Sequence, residues 1–121
     1  MPRNARKEGY SRRHRFSARG SFGPVLRSNR KLRGRLTIIH VTVGPLPVSR
    51  LGVALTRRLV PSSVDRNFVK RTLREAFRRH PVKGSGLDCV VTLRERFKRG
   101  QLEAMVAEIH GYFDQLHGTV E

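Results

Sequence analysis

VDRNFVKRTLREAFRRH, running from Val64 to His80, is the stretch whose reading organises the rest of the chain. At about 100° per residue, Phe68, Val69, Thr72, Leu73, Ala76 and Phe77 share roughly half of a helix's circumference, while Arg66, Asn67, Lys70, Arg71, Arg74 and Arg78 fill most of the other half. The spacing predicts a helix over 64–80 that packs on one side and is cationic on the other. Cations repeated at i, i+4 and i+8 repel one another. The row Arg66, Lys70, Arg74 is therefore disfavoured unless a polyanion lies against it. Ser63 or Asp65 is expected to cap this helix, and Pro81 with Gly84 and Gly86 to end it.

On either side of this helix the periodicity changes. LTIIHVTV, Leu36 to Val43, is β-branched enough for a strand, and GPLPVSR, Gly44 to Arg50, must turn because prolines cannot serve a ladder. Leu51 to Thr56 reads as a second strand with Leu51, Val53 and Leu55 on one face and Gly52, Ala54 and Thr56 on the other. Leu87 to Arg94 repeats the division: Leu87, Cys89, Val91 and Leu93 oppose Asp88, Val90, Thr92 and Arg94. His40 is expected on the strand face of Leu36 and Ile38. A sheet with helices on one face and a shallow, partly polar second face follows. Ser21 to Asn29 has the spacing of a short helix, with Ser21 as cap, Pro24 in the first turn and Asn29 as stop. Arg30 to Arg35 reads as a basic linker with a few extended residues. Gln101 to His117 reads as the closing helix, its apolar face formed by Leu102, Met105, Val106, Ile109, Tyr112, Phe113 and Leu116. Gly111 in its middle conflicts with helix propensity.

Composition narrows the partner. The 121 residues hold 26 Lys and Arg against 9 Asp and Glu, a net charge of +17, with a pI near 11.8. Glu8 is the sole acid before Asp65. Such a field favours nucleic acid or an anionic membrane. No run approaches the roughly 18 apolar residues of a membrane span, and the N-terminus lacks the apolar core of a secretory signal. A soluble, cytoplasmic protein is expected, with residues 1–14 as a flexible basic arm, 15–118 as one domain and 119–121 as a tail. Cys89, the single cysteine, is expected to be reduced and buried in its strand.

An enzyme needs a constellation of groups, and none is legible. The five histidines, at 14, 40, 80, 110 and 117, show no zinc-ligand spacing with the cysteine, and GSG at 84–86 is only a turn. Asp65 and Glu75 lie too far apart on one helix for paired acid and base work. The residues point to binding of RNA or DNA phosphate by arginine forks and not to bond-breaking.

LGVALTRRLVPSSVDRNFVKRTLREAFRR resembles the signature of the bacterial ribonuclease P protein subunit: a strand ending in two basic residues, a loop, then R-N-x-x-K-R-x-x-R-E. The matched positions are Arg66, Asn67, Lys70, Arg71, Arg74 and Glu75. Arg15, Phe16 and Phe22 fit the family's N-terminal pattern, and the similarity runs on through LDCVVTLR to the closing helix. The resemblance implies an α+β, two-layer α/β sandwich of αβββαβα order with a left-handed βαβ crossover. It implies a subunit that binds ribonuclease P RNA and the 5′ leader of precursor tRNA, while the RNA, with Mg2+, removes the leader. No membrane and no obligate protein partner are expected. Arg66, Asn67, Lys70, Arg71 and Arg74 would contact the catalytic RNA, and the loop before them would help place metal ions. Phe22, Leu26, His40, Ala54 and Thr56 would line the leader cleft, with Arg57 and Arg58 at its rim. Leu26 and His40 stand where the family more often has an aromatic and a tyrosine. A structural RNA-binding protein of ribosomal type shares the composition but does not require the motif; an autonomous nuclease would cleave RNA unaided.

Overall fold

Four strands form one mixed sheet: β1 (Arg30–Arg33), β2 (Thr37–Val43), β3 (Arg50–Ala54) and β4 (Leu87–Leu93), in the order β1-β2-β4-β3. The computed structural model describes residues 22–28 and 30–120, so the basic arm and the cap and stop expected at Ser21 and Asn29 lie outside the described residues. The β1–β2 and β2–β4 pairs are antiparallel and β3–β4 is parallel. Among the described residues three α-helices join them: α1 (Gly23–Leu26), α2 (Ser63–Arg78) between β3 and β4, and α3 (Leu102–Val120). The chain is thus an α+β fold of αβββαβα order. Helices α2 and α3 cover one sheet face, and the four residues of α1 lie on the other, against β2 and β4.

The main core lies between the sheet and the α2–α3 layer. Ile39, Val41, Leu51, Val53, Cys89 and Val91 meet Val69, Leu73, Phe77, Met105, Ile109 and Phe113 there, and the Phe77 and Phe113 rings cross edge to face at 5.6 Å. Cys89 is a free thiol, and burial, reinforced by Asp88, pushes its pKa up to about 12. It is inert packing, as expected. β4 is the inner strand of the parallel pair and is buried on both faces, with Val90 closed over by Val25 of α1. The strand readings at 36–43, 51–56 and 87–94 hold to within a few residues. The few extended residues expected within Arg30 to Arg35 are the strand Arg30–Arg33, paired with β2 throughout; the linker description fails for it, because Leu32 packs on the core.

One carboxylate fastens that strand pair to α3. Glu108 accepts from the backbone amides of Arg35 (2.6 Å), Leu36 (3.2 Å) and Thr37 (2.9 Å) and from the Thr37 hydroxyl (2.6 Å). Tyr112 adds its hydroxyl to the Thr37 carbonyl at 2.9 Å. Gly34 is required beside this cluster, since a Cβ there would overlap the Glu108 carboxyl and the Tyr112 hydroxyl. The bend also explains why Leu36 lies in the main core and not on the face of Ile38 and His40. At the opposite end of the strands, buried Ser49 donates to Val82 O at 2.7 Å and accepts from Leu87 N at 3.0 Å. Gly86 turns there with φ +70°, the left-handed region that glycine tolerates.

α2 begins one residue before the expected caps. Ser62, extended at φ −82°, ψ 128°, accepts from Asp65 N at 3.2 Å, while Ser63 is already helical. The helix ends where His80 adopts an extended backbone before Pro81. Gly111 has open space around it and no positive φ.

Two stability results follow. The hydrogen bonds from Thr37, Arg35 and Leu36 outweigh the desolvation that would raise the Glu108 pKa, and hold it below the ordinary 4.5. Its contribution is complete above that pH and disappears as the pH falls through the folded-state value. Glu108→Ala, which strands three amides, should cost about 2–3 kcal/mol at pH 7, measured by denaturant unfolding. The gap to wild type should narrow on acidification; a constant gap would show that the carboxylate charge is not what binds. Gly111→Ala should raise stability by about 0.5–1 kcal/mol, and a decrease would reveal a contact that the open surroundings of Gly111 do not show.

Candidate nucleic-acid interface

The burial of α2 redraws its two sides. Val69, Leu73 and Phe77 are fully buried, whereas Val64, Asn67, Phe68 and Arg71 are exposed. The spacing i, i+3, i+4, i+7 makes these four one outward stripe, opposite the packed one. Phe68 therefore belongs to the outer face, not to the packing face on which the half-circle reading placed it. Arg66, Lys70 and Arg74 lie half-buried along one flank.

These cations differ in what they already touch. Arg66 donates through Nη1 to the carbonyls of Val60 at 2.8 Å and Pro61 at 3.0 Å, bracing the loop that leads into the helix. Glu75, the acid of the motif, receives Arg78 at 2.6 Å and Arg79 at 2.8 Å, and these bonds, Arg78 first, hold its carboxyl at about 2. Among the described residues Lys70 and Arg71 have no ion-pair partner. The free charge thus concentrates with Asn67 at the middle of the helix.

The second sheet face forms the other surface. Cross-strand partners share a face, so pairing of Lys31 with His40 and Arg33 with Ile38 places both cations beside the histidine. His40 is 8% exposed; its Nε2 lies 3.2 Å from Thr92 Oγ1, and Nδ1 has no partner among the described residues. Burial, then the charges of Lys31 and Arg33, lower its pKa from 6.5. Phe22, Leu26 and Ala54 are half-buried against Val25 and Val90, so the structure brings them together with His40 under and beside α1. Phe22 packs as well as faces outward. Thr56 is not on the sheet: β3 ends at Ala54, and Thr56 accepts Val60 N at 2.9 Å and, through Oγ1, Leu59 N at 3.2 Å. This turn carries Arg57 and Arg58, both exposed, past the strand end.

Lys31 and Arg33 were missed because their segment reads as a linker. The signal was the alternation K-L-R, one apolar residue between two cations, at a period of two. A further cluster, His80, His110 and Asp114, has ligand atoms within 4.8 Å of one another. His80 Nδ1 accepts from Val82 N at 2.9 Å, which leaves its proton on Nε2, directed at Asp114 Oδ1 at 2.6 Å. That nitrogen is a donor, not a ligand, and magnesium prefers an oxygen shell. The cluster does not fit Mg2+.

Cations without an ion-pair partner among the described residues, on α2 and on the opposite face of the sheet, place the chain in the class of RNA-binding α+β proteins. A protein-family model described as Ribonuclease P matches residues 10–117. A ribonuclease P protein component of Azoarcus sp. (strain BH72) is 31% identical over 106 residues, 88% of each chain. In fold, the chain is similar to the RNase P protein of Staphylococcus aureus, at TM-score 0.64 and 17% identity over 89% of this chain and 95% of that one. It is likewise similar to that of Thermotoga maritima, at TM-score 0.60 and 23% identity over 88% and 94%. The chain belongs to the bacterial ribonuclease P protein family, the protein subunit that assists RNA-based cleavage of precursor-tRNA leaders in a holoenzyme whose catalytic centre lies in the RNA.

The His40 environment is open to titration. Its ring should titrate below 6.5, followed by NMR of the imidazole carbons, and Lys31→Ala with Arg33→Ala should move the midpoint upward. An unmoved midpoint would place those cations elsewhere.

Proposed function

We propose that α2 docks the catalytic RNA through Asn67, Lys70 and Arg71, with Arg66 and Arg74 along its flank, and that the second sheet face receives the leader of precursor tRNA. The observation that carries the reading is the middle of α2, where two cations without an acidic partner flank Asn67 on a helix whose back is fixed in the core. Phosphate oxygens complete such a row, and arginine forks hold them in pairs. The leader surface is narrower: Phe22, Leu26, His40 and Ala54 form its floor, Lys31 and Arg33 one wall, and Arg57 and Arg58 the end beyond β3. The short side chain of Ala54, partly exposed at the end of β3, lets a single strand approach the sheet there. Mg2+ belongs to the RNA on this reading, and the reaction to the cytoplasm.

Cleavage of precursor tRNA with and without a bacterial ribonuclease P RNA, at low magnesium, tests it. The protein alone should be inert and should stimulate the RNA, and its affinity for that RNA should fall steeply with salt. Lys70→Ala with Arg71→Ala should weaken assembly with the RNA at unchanged melting temperature. Lys31→Ala with Arg33→Ala should weaken precursor-tRNA binding by the holoenzyme more than mature-tRNA binding. Cleavage by protein alone would make it an autonomous nuclease, and RNA binding without stimulation a structural RNA-binding protein. Equal loss for precursor and mature tRNA would remove the leader assignment.

A further inference from the structure

Phe68 occupies the first unassigned position of R-N-x-x-K-R and is an exposed aromatic in the midst of the cationic helix, 39% exposed between Asn67 and Arg71 on the outward stripe. An apolar ring in that place is not core and gains nothing from water. It is also not loose. The Arg99 guanidinium lies over the ring, 5.4 Å from its centroid. Arg99 is fixed in turn by Asp65, which accepts its Nη2 at 2.7 Å and its Nε at 3.1 Å. Arg99 opens the short turn (Arg99–Gln101) that precedes α3, so two separate parts of the chain converge to hold one exposed ring.

We infer that Phe68, with Arg99 and Asp65, is a stacking platform for an unpaired base of the RNA that α2 binds. Arg99, held by Asp65, lies over the ring, while the exposed part is offered outward. A nucleobase satisfies an exposed aromatic beside cations: its π-face stacks on the ring while its phosphates meet Arg71 and Lys70. A protein partner or a second copy would have to desolvate Asn67 and Arg71 to reach Val64 and Phe68, at the centre of a surface carrying the excess charge of a +17 chain. RNA removes that obstacle, since it brings the opposite charge with it. The inference rests on the proposed α2–RNA contact and adds to it an unpaired base and a stacking mode.

The chain contains no tryptophan, so Phe68→Trp introduces a single indole at the site. Its emission should be quenched on titration with ribonuclease P RNA. Phe68→Leu, which keeps the apolar bulk and removes the π-face, should weaken binding about 5- to 100-fold with an unchanged melting temperature, and Phe68→Tyr should restore it. Arg99→Lys, which keeps the charge but not the planar fork, should give a smaller loss in the same direction. If Phe68→Leu binds as wild type and the indole is unmoved while Lys70→Ala with Arg71→Ala still weakens binding, the platform is wrong and the α2 contact stands. If neither set of variants weakens binding, both fall. An indole signal that depends on protein concentration without RNA would assign the patch to a second copy and overturn the inference.

Discussion

The Glu108 carboxylate, holding three consecutive amides and a hydroxyl at the bend between β1 and β2, is the contact on which the rest of the molecule leans. It joins an acidic position of α3 to the most basic part of the sheet, and it does so through backbone and not through a neighbouring cation. Each of those amides would otherwise be an unmet donor at a tight bend. With the bend fixed, β1 can pair with β2, and only then do Lys31 and Arg33 stand beside His40. A chain with one apolar residue in RKLR has little else to order that strand, since Leu32 alone buries too little surface to offset the entropy of four residues.

The same economy of acids runs through the fold. Asp88 holds Arg50 in a two-pronged pair at 2.9 and 2.7 Å, Glu75 holds Arg78 and Arg79, Asp65 holds Arg99, and Asp114 accepts from His80. These carboxylates act as fasteners: Asp65, Glu75 and Asp88 lie within four residues of an element end, and Asp114 lies within α3. Because their partners are already chosen, Lys70 and Arg71 stay unneutralised. A surface ion pair contributes little to stability, so this placement matters less for folding than for where positive potential is left. The field of the whole chain is set by what the acids do not cover.

Much of this is legible in the sequence. Leu36–Val43, Leu51–Thr56 and Leu87–Arg94 show strand alternation or β-branched runs, and the helical spacings of α2 and α3 are long enough to be decided by period alone. The motif from Arg66 to Glu75 carried the family. Three things were not legible, each for a physical reason. β1 was hidden because cations dominate it and its ladder is anchored from α3, distant in sequence. Phe68 was assigned to the core because a half-circle of apolar residues is wider than the stripe a helix actually buries; the stripe narrowed to Val69, Leu73 and Phe77. Periodicity puts Arg66 on the cationic side of the helix, yet one nitrogen braces the loop carbonyls of Val60 and Pro61, a contact set by loop path and not by helix phase. The short helix α1 came out within the expected segment, but its place on the second sheet face was carried by the resemblance, since four residues have no periodicity to read.

The layer order has one further consequence for a protein proposed to touch two RNAs at once. α2 packs on one face of the sheet and the His40 strip lies on the other, so a sheet and a helix layer, each about 10 Å deep, separate the two surfaces. Direct contacts at one cannot crowd the other. Electrostatics is less local: a screening length of about 8–10 Å in physiological salt spans much of that depth, so cations on both faces add to one attractive field for any approaching strand. Salt weakens both contacts together and cannot tell them apart, whereas shape can. The helix offers a projecting, rigid row, suited to a folded RNA with its own grooves, and the sheet offers a narrow floor of Phe22, Leu26, His40 and Ala54 beside Lys31 and Arg33, suited to a single strand. Specificity on this scaffold is therefore a matter of relief, with the charge supplying attraction common to both.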